Sequence, residues 1–281
     1  MFFRLSLVPN GLSVGGMAIL SVDLAWLRWS DIGAVIMNRA EGEAGQGAID
    51  CEIVRLDPPG LFDDPVLDRG PVNASVLAGR LNHLCNVRGI RLLVLDGPQA
   101  WKSKQNGLKH ARLSERELNT AAKTGLPGLV KPLSYRPSAE FCIDVYDALA
   151  WRNWRRLDSP ETASAPTGRL LVESAPQAAW KALGLKPLKA KRRTDVSDLA
   201  EAYGALNQLY TIRCDRAPNH DQLQAIVGGL AGLAIEAREQ DGLRLVGSPP
   251  RREDGDWREG YIALPVPPRE TPAPEPAFPM H

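Results

Sequence analysis

The chain has 281 residues and a formal net charge of +1, so its overall charge favours no class of partner. With 44% hydrophobic and 24% charged residues, it has the composition of a globular protein that can build one large domain. No apolar run approaches the ~20 residues that span a bilayer, and four scattered cysteines exclude a disulfide framework or a CxxC-type zinc site.

We therefore expect reduced thiols and a cytoplasmic protein with no membrane segment. Residues 1–17 lack the regions of a signal peptide; we interpret them as a disordered leader or a translation-start artefact, with Met17 as the natural start. The expected domain covers residues 18–265. Residues 266–281 contain six prolines and are predicted to form a disordered tail.

The first half of the domain is predicted to form three hairpin-joined strands, a helix and a fourth strand. The three strands are residues 18–23, 32–37 and 48–56, which are apolar or alternating and are separated by Gly and polar residues. Helical spacing over 73–89, with Asn73 as the N-cap and Gly89 as the C-terminal stop, predicts a crossover helix. The apolar run "IRLLVLDGP" at 90–98 then predicts a buried strand.

The second half begins with an insertion at about residues 99–168. It is basic and aperiodic over 99–137, helical over 138–157 and linker-like over 158–168. The run "RLLVESAP" at 169–176 predicts the fifth strand, and helices are expected near Trp180, over 194–210 and over 220–239. The sequence therefore predicts an α/β fold with a mixed five-stranded sheet flanked by helices.

Carboxylates stand at the ends of three predicted strands: Asp23, Asp96 and Glu173, with Asp221 in the first turn of the last helix. Because sites in α/β sheets gather at the carboxyl ends of parallel strands, we expect these acids to converge. Converging carboxylates repel one another and suit a hard divalent cation, Mg²⁺ or Mn²⁺. The alternative is that such acids cap turns or pair with nearby Arg and Lys.

Several segments, in this order, resemble a bacterial and archaeal family: "SVDLAW", "LLVLDGPQAWK", "LLVESAPQAAWKALGLKPLKAKRRT", "HDQLQAIVGGLAGL" and "VGSP…GYIALP". It is the four-two-nine family of domains of unknown function, predicted nucleases with a ribonuclease H-like fold. The resemblance implies that Asp23 is the central metal ligand, with Asp96, Glu173 and Asp221 completing the site. Where the family reads Asp-x-x-Asp-Ala, this chain has Gln224 in place of the second acid. Either Asp221 closes the site, alone or with His220, or one metal is bound weakly.

Two basic segments follow the predicted catalytic strands. Residues 101–136 hold eight Lys and Arg with two Glu, and residues 181–193 hold six with no acid. Such segments attract a nucleic-acid backbone, or else form a solvated basic surface. Lys191 is the preferred phosphate contact, with Lys189, Arg192 and Lys102 as further candidates. Trp151 and Trp154 lie three apart among arginines, and either stack on bases or pack a helix against the core.

The predicted function is divalent-metal-dependent hydrolysis of phosphodiester bonds in nucleic acid, DNA or RNA. The alternative is a nucleic-acid-binding or scaffold protein that has the same fold but weakened catalysis, as Gln224 suggests. An ATP-using relative is disfavoured because "DLAWLRW" and "DGPQAWK" supply no glycine-rich phosphate turn after the strands.

Overall fold

The computed structural model describes residues 18–40, 47–57 and 71–268. The interpretation of residues 1–17 as a leader lies outside the described residues, as does that of the tail beyond residue 268. Within the described ranges, no helix is both long and apolar enough to cross a membrane.

Within the described ranges, nine strands form one mixed sheet, and two more form a separate hairpin. The strands are β1 (Ile19–Asp23), β2 (Gly33–Arg39), β3 (Ile49–Ile53), β4 (Leu92–Asp96), β5 (Trp154–Arg156), β6 (Arg169–Ser174), β7 (Ile212–Cys214), β8 (Leu243–Val246), β9 (Arg251–Glu253), β10 (Asp256–Arg258) and β11 (Ile262–Pro265). Their order is β7-β3-β2-β1-β4-β6-β11-β8, with β5 paired to the start of β6. β9 and β10 pair with each other, and β10 also forms a single bridge with Trp101 through Arg258.

The central strands run parallel and end together. β1, β4 and β6 are parallel neighbours, whereas β1, β2 and β3 are joined antiparallel as predicted. The registers place Asp23 beside Asp96, and Asp96 beside Ser174. One edge of the sheet therefore carries the carboxyl ends of three adjacent strands.

Helices cover both faces of this sheet. They are α1 (Ala74–Arg88), α2 (Leu113–Glu117), α3 (Arg136–Ala150), α4 (Pro160–Ser164), α5 (Pro176–Ala182), α6 (Val196–Leu209) and α7 (His220–Glu236). α1 and α3 contact each other and share one apolar core with the sheet, while α5, α6 and α7 share the core on the opposite face. α7 lies across β1, β2 and β4.

Glycines allow α7 to lie unusually close to the sheet. A Cβ atom at Gly229 would lie 2.4 Å from the Met37 sulfur, and one at Gly228 would lie 2.8 Å from the Ser174 hydroxyl. The Gly228-Gly229 pair therefore lets the last helix pack closely on the sheet. A larger residue at either position would push α7, and the acid in its first turn, away from the strand ends.

The predicted fold class, an α/β domain with a mixed sheet flanked by helices, is confirmed. The sheet has nine strands rather than five, because short strands that the hydropathy pattern did not indicate extend it: β5, β7, β8 and β11. The helix predicted for 138–157 ends at Ala150, since Asn153 takes the left-handed conformation (φ 65°) and the chain turns into β5. Trp154 consequently lies in a buried strand, while Trp151 is 88% exposed.

Candidate active site

The centre of the site is a pair of carboxyl groups on adjacent strands. Asp23 and Asp96 occupy paired positions at the ends of β1 and β4, so their side chains project from the same face of the sheet. The two carboxyl groups lie close enough to shift each other's pKa, and both are partly exposed at the sheet edge. Two carboxylates in such proximity favour a state in which they share a proton.

The surroundings of this pair disfavour two negative charges. Desolvation raises the pKa of Asp96 to about 7, with a further contribution from the charge of Glu173. The pKa of Asp23 is raised well above its usual range, first by desolvation and then by the charges of Asp96 and Asp221. The charge of Lys191 acts on Asp23 in the opposite direction, but desolvation and the neighbouring carboxylates outweigh it.

Asp221 is brought to the pair by the start of α7. Asn219 caps the helix by accepting from the Gln222 amide, and the Gln222 side chain accepts from the Asn219 amide in return. Gly33 faces Asp23 across the β1–β2 ladder, and a Cβ atom on Gly33 would lie 2.2 Å from the Asp221 carbonyl oxygen. That close approach places the 5%-exposed Asp221 near Asp23.

Lys191 and His220 occupy the oxygens of Asp221. The Lys191 ammonium donates to Asp221 Oδ2 and also to Asp31 Oδ1, at 2.7 Å. The His220 ring lies with Nδ1 3.0 Å from Asp221 Oδ1 and Nε2 3.0 Å from the Lys189 carbonyl oxygen. Both ring nitrogens face acceptors, so a neutral imidazole could donate to only one of them. The segment 189–191 is thereby held against the acids.

Glu173 does not join this group. Its neighbour in register on β4 is Leu95, so its side chain leaves the opposite face of the sheet from Asp23 and Asp96. There the Arg112 guanidinium donates to both Glu173 oxygens, at 2.5 and 2.8 Å. The backbone amide of Gln99 also donates to Glu173 Oε2, at 3.0 Å. The expected third metal ligand is thus a member of a buried ion pair, because the acid comes one residue earlier in β6 than in β4.

The ion pair extends to a second glutamate in the insertion. Arg112 also donates through Nε to Glu115 at 3.2 Å, and Glu115 accepts from the Thr124 amide at 2.8 Å. Arg112, Glu115 and Glu173 are all less than 5% exposed. Burial raises the pKa of Glu173, while Arg112 and the Gln99 amide act in the opposite direction. The sequence indicated Arg112 only as one residue of a basic segment. No local pattern marks it as the buried ion-pair partner of Glu173.

A cavity of about 170 Å³ lies between these two groups. Its lining includes Asp96, Arg112 and Glu173, together with Thr124 and Ser138. The volume is enough for several water molecules beside the Asp96 carboxyl group. Water thus has room on one side of the acidic pair, and the segment 189–191 lies on the side of Asp221.

The four predicted nucleic-acid contacts have different positions. Lys189, Lys191 and Arg192 are exposed beside α7, where Lys189 pairs with Asp198 at 2.7 Å. Lys102 is 4% exposed, and its ammonium donates to the Ser103 carbonyl oxygen at 2.6 Å. Lys102 is therefore directed into its own loop, and its position does not support the predicted contact with nucleic acid.

Gln224, which stands where the family has a second acid, also points away from the strand ends. Its side-chain oxygen accepts from the Trp180 indole at 2.8 Å, and the residue is 7% exposed. Among the described residues, no three His, Cys, Asp or Glu side chains are grouped as ligands around one point. Asp23, Asp96 and Asp221 lie close enough to influence one another, but Lys191 is the cation that contacts Asp221.

The fold and the site define an α/β domain with a carboxylate pair at the edge of a mixed sheet. No family model matches the chain, and no curated protein matches it. Several solved structures are similar to the chain, among them the two described next. A Thermus thermophilus RuvC structure is 12% identical with a TM-score of 0.35, and the alignment covers 79% of this chain and 96% of that one.

The second structure is T. thermophilus RuvC in complex with a Holliday junction substrate. It is 13% identical, with a TM-score of 0.32 over 79% of this chain and 95% of that one. These values are too low for either likeness to bear on the activity of this chain. The resemblance to the four-two-nine family stays a prediction.

Proposed function

We propose that this chain is a divalent-metal-dependent nuclease that hydrolyses phosphodiester bonds in nucleic acid. The observation that carries the proposal is the Asp23–Asp96 pair, two carboxyl groups in register at the open ends of parallel strands, with Asp221 facing them. A purely structural acid pair is usually neutralised by a buried base, as Glu173 is by Arg112. The Asp23–Asp96 pair has a shared proton instead.

The donor set suits a hard divalent cation. Carboxylate oxygens are the ligands that Mg²⁺ and Mn²⁺ prefer, and replacement of the shared proton by a cation would relieve the repulsion between Asp23 and Asp96. Asp23, Asp96 and Asp221 are the residues that would hold the ion. When bound, Mg²⁺ or Mn²⁺ supplies activation of a water molecule and stabilisation of the leaving oxygen.

The protein's own groups prepare this site. The pKa values of Asp23 and Asp96 are both raised, so the fully ionised pair forms more readily as the pH rises. His220 restricts the orientation of the Asp221 carboxylate. The Glu173–Arg112 pair anchors the loop after β4 through the Gln99 amide and thereby fixes the mouth of the site. Lys189, Lys191 and Arg192 are the proposed contacts for the phosphate backbone.

The test is a screen of the purified protein against single-stranded, duplex, hybrid and junction nucleic acids with Mg²⁺ or Mn²⁺. We expect cleavage of at least one substrate, with loss of cleavage in Asp23→Ala and upon chelation of the metal. Asp254→Asn is the matched control, because Asp254 lies in the exposed β9–β10 turn with φ 53°, a conformation that Asn tolerates well. Cleavage that persists in Asp23→Ala would end the nuclease proposal.

A second candidate function is nucleic-acid binding without turnover. It is favoured by the contacts of Lys191, which neutralise Asp221 and Asp31 from within the chain, and by the turn of Gln224 toward Trp180. On this alternative, the protein binds nucleic acid equally well with and without metal and cleaves none of the substrates. Metal-independent binding without products in the same screen would support it.

A further inference from the structure

Two cysteines that the site does not use face each other across neighbouring strands. Cys51 on β3 and Cys214 on β7 are paired positions in a parallel ladder, and both thiols are free. We propose that Cys51 and Cys214 form a reversible disulfide by exchange with low-molecular-weight disulfides. The pair is thus a thiol-modification site, separate from the proposed nuclease site and independent of it.

The geometry is suited to a bond between the two sulfur atoms. Paired residues on neighbouring strands lie about 5 Å apart and direct their side chains to the same face of the sheet. A disulfide joins residues whose Cα atoms are typically about 4.4–6.8 Å apart, so oxidation requires no large movement of the backbone. Each thiol lies close enough to the other to shift its pKa. The remaining cysteines, Cys85 and Cys142, are buried singly in the core on the opposite face of the sheet.

The two sulfur atoms have different roles. Cys214 is partly exposed, whereas Cys51 is 3% exposed. The neighbouring Cys51 thiol lowers the pKa of Cys214, whereas the Cys214 thiol and then burial raise the pKa of Cys51. Of the nearby acids, Asp215 opposes thiolate formation and Asp50 is paired with Arg213 at 2.8 Å. Cys214 is therefore the attacking thiolate and the buried Cys51 the resolving thiol.

The exchange proceeds in two balanced steps. The Cys214 thiolate attacks one sulfur of the external disulfide, which forms a mixed disulfide and releases one thiolate. Cys51 then gives up its proton to that thiolate or to solvent, and its sulfur attacks Cys214 and expels the second thiolate. The protein dithiol loses two electrons and two protons, and the external disulfide is reduced to two thiols.

The bond would fix a strand that is otherwise weakly held. β7 has three residues at the edge of the sheet and pairs with β3 alone, and it precedes the α7 residue Asp221 by seven positions in the chain. The disulfide also closes a long loop, which restricts the unfolded chain and stabilises the folded protein. We therefore expect the oxidised protein to melt at a higher temperature than the reduced protein.

The experiment treats the full-length native protein with oxidised glutathione and measures its mass after acid quenching and denaturation. We expect a loss of about 2 Da, a Cys51–Cys214 peptide on non-reducing digestion, an increase in Tm and reversal by dithiothreitol. In Cys51→Ser the reaction should stop at the mixed disulfide, with a gain of about 305 Da on Cys214. Cys85→Ala is the matched control and should oxidise as the wild type does.

The wild-type result decides the proposal even if a variant folds poorly. If the native wild type keeps its mass in oxidised glutathione, or if the crosslinked peptide contains Cys85 or Cys142, the proposal is overturned. Persistence of the 2 Da loss in Cys214→Ser would have the same effect. None of these outcomes depends on nucleic acid or on metal, so they leave the nuclease proposal untouched.

Discussion

Two groups of buried or partly buried acids lie at the same sheet edge, and they are neutralised in opposite ways. On the face of α3, Glu173 and Glu115 share the buried cation Arg112 and accept backbone amides as well. On the face of α7, Asp23 and Asp96 share a proton. Since an unpaired buried charge is costly, the first group is stable as it stands and the second is suited to take up a cation.

The two groups differ because the acids of β4 and β6 stand one residue apart in the register of these strands. β4 reads "LLVLD" and β6 reads "LLVES", and the ladder aligns their leucines and valines, so that Ser174 rather than Glu173 lies beside Asp96. Because alternate residues of a strand point to opposite faces, a one-residue offset moves the acid to the other side of the sheet. Similar strand endings therefore serve different purposes.

The largest expected effect separates the two groups by activity. In metal-dependent cleavage, Asp96→Asn removes a proposed ligand and should lower the rate about 1,000-fold. Glu173→Gln keeps the shape of a side chain that touches Arg112 and the Gln99 backbone amide, so it should lower the rate by no more than about tenfold. Initial rates at saturating Mn²⁺ measure both. Equal losses in the two variants would show that Glu173 belongs to the reacting centre.

The next effect is on stability and should appear at Arg112. Arg112→Met leaves two buried carboxylates without their cation and should lower the free energy of unfolding by about 3 kcal/mol. Urea denaturation measures it, with Arg136→Met as the control, because the Arg136–Glu140 pair is exposed and contributes less than about 1 kcal/mol. If both variants lose the same small amount, the α3-face group is not held by its ion pair.

A third effect distinguishes the groups by pH. The pKa of Asp96 is raised from 3.8 to about 7 in the folded protein. A carboxyl group whose pKa is higher in the folded than in the unfolded protein stabilises the fold at pH values below its unfolded pKa. This stabilisation, roughly 2 kcal/mol after allowance for solvent exposure, is lost as the pH rises from about 4 through 7.

The measurement is the free energy of unfolding from pH 4 to 8, in wild type and in Asp96→Asn. The wild type should lose stability relative to the variant over this window, and Mn²⁺ at pH 8 should restore stability to the wild type alone. Curves that run parallel, with no response to Mn²⁺, would remove the shared proton from the account of this site.

The smallest effect concerns Lys191. Lys191→Met removes the ammonium from Asp221 and should tighten Mn²⁺ binding by about threefold to tenfold, since the metal no longer competes with an internal cation. Isothermal titration measures the affinity, and Lys189→Met serves as the control because Lys189 pairs with Asp198 instead. Weaker Mn²⁺ binding in Lys191→Met would mean that the lysine supports the site.

The sequence by itself determined the parts of the fold that depend on local pattern. Apolar runs located the strands β1 to β4 and β6, Asn73 and Gly89 bounded α1, and the long periodic segment located α7 with Asp221 in its first turn. Hydropathy and capping are properties of neighbouring residues, so they are readable without the fold. The convergence of Asp23 and Asp96 could also be predicted, because both acids end strands expected to lie parallel in one sheet.

Only the tertiary structure decided which acids meet. Register sets the face on which each side chain emerges, and it placed Glu173 with Arg112, a residue 61 positions away in the chain. The short strands β5 and β7 likewise form because neighbouring strands offer them free hydrogen-bonding groups, not because their sequences favour them. The same holds for Cys51 and Cys214, which are distant in sequence and become partners only when β7 pairs with β3.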